Sequence, residues 1–115
     1  MRICLVMLLL VAACNGDPTS PALCADAIDL FRTEAFYVER TEAETTIEGR
    51  LVKNCPPPSP NGRDHCYFVG DLPVYAGDRA AVLDRYVGSQ VVVRGKRVTL
   101  LGTPEFWPAA ICRRP

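Results

Sequence analysis

Residues 90–101 read QVVVRGKRVTLL, and the reading of this stretch decides the fold. It is a long β segment, Gln90 to Leu101, bent at Gly95. A glycine inside a strand packs no side chain and usually marks a bulge or bend. An earlier stretch, TTIEGRLVKN at residues 45–54, is built the same way. Ile47, Gly49 and Leu51 fall on one face, and Thr46, Glu48 and Arg50 on the other. That alternation is the period of a half-buried strand.

Working outward, Cys66 to Val69 reads as a second strand, Gly70-Asp71 as a turn, and Leu72 to Tyr75 as a third, short strand. Pro73 implies that this third strand is an edge or starts late. Asp78 is a natural N-cap for a helix whose apolar side is Val82, Leu83, Tyr86 and Val87, with Arg79, Asp84 and Arg85 left to solvent. Gly88 suits the left-handed position that ends a helix. Gly102-Thr103-Pro104 turns the chain into a last strand from Glu105 to Arg113. On the N-terminal side, Ser20-Pro21 and the spacing of Leu23, Ala27, Leu30 and Phe31 predict a short helix over 21–32. Phe36 to Glu39 alternates weakly, as a strand would.

The fold class is mainly β with one or two short helices. The order strand, strand, strand, helix, strand, strand, with glycines inside the first and fourth strands, resembles the OB-fold over Thr45 to Arg113. That family is a five-stranded Greek-key barrel with its helix between the third and fourth strands. The first and fourth strands must curl around both sheets, which gives Gly49 and Gly95 a steric reason to lack a side chain. The alternative is another small β-barrel or sandwich with a surface helix.

Residues 1–13 read as a signal peptide: Arg2 supplies positive charge and Ile3 to Ala13 is unbroken apolar sequence. That run is about half of the roughly 20 residues a membrane span needs. Its ending, Val11-Ala12-Ala13-Cys14, resembles the lipobox of bacterial lipoproteins. The resemblance implies cleavage before Cys14 and a lipid anchor on it, hence a membrane partner and an address in the cell envelope. Asn15 after the lipidated cysteine favours the outer over the inner membrane. Residues 14–21 then read as a polar tether rich in Gly and Pro, and 22–115 as a single domain carrying the N-terminal helix. Removal of the signal leaves roughly 100 residues, enough for one small core.

Six cysteines are thereby sorted. Cys4 leaves with the signal, Cys14 carries lipid, and Cys24, Cys55, Cys66 and Cys112 remain. Four cysteines in a small exported domain most often make two disulfides, and three pairings exist. Cys55 and Cys66 flank the Pro-rich stretch 56–62 and read as a staple of two strand ends, which leaves Cys24 with Cys112. The competing use, zinc on Cys55, His65 and Cys66, lacks the paired C-x-x-C spacing, so no metal or other cofactor is expected.

The chain has 13 basic and 13 acidic residues and zero formal charge. It offers no basic field for a phosphate backbone, and a nucleic-acid partner is not expected. No serine sits in a nucleophile elbow and no Gly-rich phosphate loop follows a strand, so the protein is not expected to be an enzyme. The OB resemblance implies ligand binding on the second and third strands and the loops beside them. Tyr67, Tyr75 and Trp107, with Arg63 and His65 on the first loop, are the candidate contacts, and Thr103 and Glu105 lie near the other loop. Phe68, Phe106 and Trp107 also read as core or cover for a barrel end. The expected function is a lipid-anchored, non-catalytic module binding an envelope protein, peptide or glycan. The alternatives are a structural lipoprotein without a discrete ligand site and, behind it, a periplasmic enzyme.

Overall fold

The structure is a computed structural model that describes residues 23–57 and 65–115. Its elements are β1 (Ile28–Asp29), α1 (Ala35–Val38), β2 (Glu44–Lys53), β3 (Tyr67–Val69), β4 (Leu72–Val74), α2 (Ala80–Asp84, preceded by a 3-10 turn at Gly77–Arg79), β5 (Gln90–Leu100) and β6 (Thr103–Arg113). β2 pairs with both β3 and β5, β3 with β4, β4 with β6 in parallel, and β5 with β6. That ring closes a five-stranded, OB-like barrel, with α2 between its third and fourth strands and β1 added on β6.

The two glycines differ in what they make possible. The β5–β6 ladder slips between Arg94 and Gly95: Arg94 faces Ala110, Gly95 faces Pro108, and Ala109 is the extra residue of a bulge. A Cβ on Gly95 would lie 2.1 Å from the Trp107 carbonyl oxygen and 2.9 Å from the Pro108 Cα, inside another backbone. A Cβ on Gly49 would lie 2.9 Å from a methyl of Val69, a side chain only. Ile47, Gly49 and Leu51 do turn inward, and Leu51 is fully buried. With Val74, Leu83, Val91, Val93, Phe106 and Ile111 it fills the barrel.

Two local expectations are corrected. Over 23–32 the chain is not helical; it runs through a turn into β1. The apolar spacing there suits a helix, but the backbone N–H groups are claimed by β6. Leu30 N–H donates to Ala109 O at 2.6 Å and Phe31 N–H to Pro108 O at 3.1 Å. The bulge turns these carbonyls outward, on the edge of β6 that β4 occupies nearer its start. Ile28 pairs with Ile111, and Cys24 bonds Cys112. This cover buries Val92, Ala110 and Cys112 on the outer side of the barrel. The second correction is Phe36–Glu39, where the structure has α1 instead of a strand. Tyr37 is its buried residue, and the Lys96 ammonium, itself buried, donates to Tyr37 O at 2.8 Å and Arg40 O at 2.9 Å. Lys96 thus adds a donor to the Tyr37 carbonyl, which also accepts from Arg40 N–H, and one to the Arg40 carbonyl just past the helix end.

Smaller differences have plain causes. Asp78 lies inside the 3-10 turn and not at the N-cap, which is Arg79. Gly88 ends the helical region at φ +89°, as its position implied. β6 begins at Thr103, two residues earlier than expected, because the turn is confined to Leu101-Gly102. Pro73 is interior to the ring, yet the parallel pairing with β6 is made at Val74 alone, opposite Phe106. No helix among the described residues is long and apolar enough to cross a membrane.

Candidate functional site

Four elements meet around a cavity of about 370 Å³. Lys53 comes from the end of β2, and Cys55, His65 and Cys66 from the first loop. Tyr67 and Val74 come from β3 and β4, and Tyr75, Ala76, Gly77 and Ala80 from the passage into α2. The floor is made of small residues. Gly77 adopts φ +49°, and a Cβ there would crowd the Tyr75 hydroxyl at 3.0 Å and the Phe31 ring at 3.1 Å. A larger residue would therefore cost both backbone strain and aromatic packing.

The polar groups of the wall are held by one another. Lys53 Nζ bonds Asp84 Oδ1 at 2.9 Å, and the Tyr67 hydroxyl donates to the same carboxylate oxygen and to Ala80 O. Hydrogen bonds from Tyr67 and Lys53 hold the Asp84 carboxyl below the usual carboxylate range. Burial, then the Asp84 carboxylate, pushes the Tyr67 hydroxyl up. The Lys53 charge is thus balanced at the rim.

At the other side, His65 Nε2 lies 3.1 Å from Glu105 Oε1, and Trp107 Nε1–H donates to Glu105 Oε2 at 2.7 Å. The Glu105 side chain is 3% exposed and that of His65 13%. Burying a carboxylate is costly unless hydrogen bonds satisfy it, and here each oxygen has a ring N–H partner. The arrangement ties the first loop to the start of β6, the two regions where OB barrels hold ligands. Beyond it, Tyr75 packs on Phe31, Phe36 and Trp107 with ring centroids 5.3, 6.1 and 6.0 Å apart. The Arg40 guanidinium stands over Trp107 at 5.4 Å.

Of the expected contacts, Tyr67, Tyr75 and His65 share the cavity. Trp107 stands one ring away behind Tyr75, and Tyr67 is buried, offering its hydroxyl end to the Asp84 network and not an open face. Phe106 is core, as read. Arg63 and the lipidation residue Cys14 lie outside the described residues. His65, a candidate contact on the first loop, is mostly buried on Glu105. Lys53, Ala76, Gly77 and Ala80 were missed as site residues; their small or polar side chains carry no signal until the barrel brings three separate segments together.

Both disulfides form as paired from the sequence: Cys24–Cys112, with Cα atoms 6.0 Å apart, and Cys55–Cys66, with 4.2 Å. The sulfurs of Cys55 and Cys66 therefore bond each other beside His65. Among the described residues the one cluster of metal-type ligands is Cys24, Asp26 and Cys112, a disulfide with an exposed aspartate beside it.

No protein-family model, no curated protein and no solved structure matches the chain.

Proposed function

We propose that this protein is an exported, lipid-anchored binding module of the bacterial cell envelope, non-catalytic, that takes a small part of a protein, peptide or glycan into the cavity between the first loop, β3–β4 and α2. The observation that carries the reading is the cavity itself. Its size falls within the range typical of ligand pockets, and its floor is made of small residues with hydrogen-bonding groups at the rim. It also lies where OB barrels take ligands. The lipobox-like Val11-Ala12-Ala13-Cys14 supports the anchor, and two disulfides in a domain this small agree with an oxidising compartment. An enzyme reading requires His65 within hydrogen-bonding reach of a carboxylate in a cleft, and Glu105 supplies that contact at 3.1 Å; with Trp107 Nε1–H on the other Glu105 oxygen, we read the pair as tying the loop to β6.

Binding to peptide and glycan arrays tests the reading. The protein should bind a ligand of one class, and Ala80→Trp, which fills the cavity from α2, should lose that binding while keeping its circular dichroism. Binding that survives Ala80→Trp moves the site elsewhere; the absence of any ligand favours a purely structural envelope role. The anchor is tested separately by fractionation. Cys14→Ser should leave the membrane fraction, and a Cys14→Ser protein still processed and anchored would refute lipidation at that residue.

A further inference from the structure

The two disulfides sit in opposite environments. Cys24–Cys112 joins segments 88 residues apart; Cys112 is 1% exposed and Cys24 half-buried. Cys55–Cys66 closes only 11 residues; Cys55 is exposed, Cys66 half-buried, and both wall the cavity. Two independent factors make the second bond the reducible one. An attacking thiolate can reach Cys55 directly, and access governs the exchange rate. The short loop gives the bond less closure entropy to hold it shut.

We infer that Cys55–Cys66 is a redox switch: a thiol–disulfide exchange site for a dithiol reductant, whose opening releases His65 from Glu105 and so remodels the cavity. A reductant thiolate attacks the exposed Cys55 sulfur. The Cys55–Cys66 bond breaks, and Cys66 leaves as a thiolate beside His65 and Lys53, then takes a proton from solvent. The second thiol of the reductant, as thiolate, attacks its own sulfur in the mixed disulfide and expels the Cys55 thiolate, which is protonated in turn. Two electrons pass from the dithiol, which becomes a disulfide, to the cysteine pair, which becomes two thiols. The consequence follows from adjacency. His65 is the residue next to Cys66, and its ring is held on Glu105 where the covalent closure fixes the end of the loop. Glu105 also accepts from Trp107, the single tryptophan of the chain, so the state of the loop is reported by its fluorescence. The inference does not depend on what the cavity binds or on the lipid anchor.

The test is a time course of the oxidised full chain in dithiothreitol, with thiols trapped by alkylation and located by peptide mass spectrometry. Cys55 and Cys66 should become alkylated at least roughly tenfold faster than Cys24 and Cys112, given their difference in access. Trp107 emission should change in step with the first pair. The rate difference should largely vanish in guanidinium chloride, because it derives from the fold. Reduction of both pairs at one rate, or of Cys24–Cys112 first, overturns the exchange site. Selective reduction with no change at Trp107 overturns the coupling. A Cys55→Ser/Cys66→Ser protein gives a second reading: it should show the emission of the reduced form with or without reductant, and an emission matching the oxidised protein would sink the switch.

Discussion

Replacing Gly95 with alanine places a methyl carbon 2.1 Å from the Trp107 carbonyl oxygen. The group in the way is backbone, so no rotamer relieves the clash. To restore a tolerable contact, β6 must retreat by about 1 Å, which lengthens the ladder bonds on either side of the bulge beyond hydrogen-bonding range. Two or three weakened bonds at about 1 kcal/mol each, added to about 1–3 kcal/mol of overpacking, give about 3–6 kcal/mol. Relief of the entropic penalty of glycine in a strand returns about 0.5–1 kcal/mol. The net cost is then about 2–5.5 kcal/mol, a large share of the stability expected for a domain of this size. Gly49→Ala is the internal control: its methyl meets only Val69 Cγ1 at 2.9 Å, and a shift of a few tenths of an ångström in that side chain suffices. Its cost should stay within about 1 kcal/mol. Urea titration of the oxidised proteins followed by far-ultraviolet circular dichroism separates them. With a slope of about 1–1.5 kcal/mol per molar urea, Gly95→Ala should lower the midpoint by about 1.3–5.5 M and Gly49→Ala by at most about 1 M. A Gly95→Ala midpoint close to that of the parent, or equal to that of Gly49→Ala, would show that the close approach of β5 to β6 does not govern barrel closure.

Other perturbations follow the same structure. Replacing both Cys24 and Cys112 with serine removes a closure of 88 residues, and loop entropy alone makes that a loss of about 4.6 kcal/mol, against about 2.8 for Cys55 and Cys66; chemical denaturation of the two double variants should rank them in that order. Lys96→Met keeps the aliphatic length but strips the donor from the Tyr37 and Arg40 carbonyls, costing about 1–3 kcal/mol in the same titration. The Asp84 carboxyl is depressed by Tyr67 and Lys53. Its contribution to stability is therefore full above the unfolded value near about 3.9 and is lost as pH falls through the lower, folded value. Asp84→Asn should flatten this part of the acid limb of a stability–pH profile, and an unchanged limb would argue against the network.

What was legible in the sequence was whatever the strand period and the glycines encode. The alternation from Thr45 to Asn54 located β2, and Gly49 and Gly95 marked where the barrel bends. Pairing of Cys55 with Cys66 followed from the short Pro-rich stretch between them. The N-terminal segment was misread for a physical reason. Leu23, Ala27, Leu30 and Phe31 have helical spacing, but the bulge at Ala109 offers carbonyls that a strand-like chain can satisfy and a helix cannot. Local propensity lost to a tertiary hydrogen-bonding edge. The site was half legible: His65, Tyr67 and Tyr75 are near one another in sequence. That Glu105 would receive His65 depends on a pairing 40 residues apart, which no local pattern encodes.

β6 is the element that makes one molecule of these parts. Its early residues, Glu105 to Trp107, meet the first loop, β4 and the aromatic cluster; its late residues, Ile111 and Cys112, hold β1 and the covalent link to Cys24. Seven residues separate Glu105 from Cys112, at most about 23 Å along a strand. The N-terminal segment thus follows β6 from Ile111 back to Pro108, and its Phe31 ring packs on Tyr75 at the cavity. Under the proposed lipid anchor, a tether arriving at Leu23 attaches beside the buried, long-loop disulfide, while the exposed, short-loop disulfide stands with His65 at the cavity. The durable crosslink is placed where the chain is held and the accessible one where a ligand is taken, a division that gives the redox switch a reason to act on binding and leave the attachment intact.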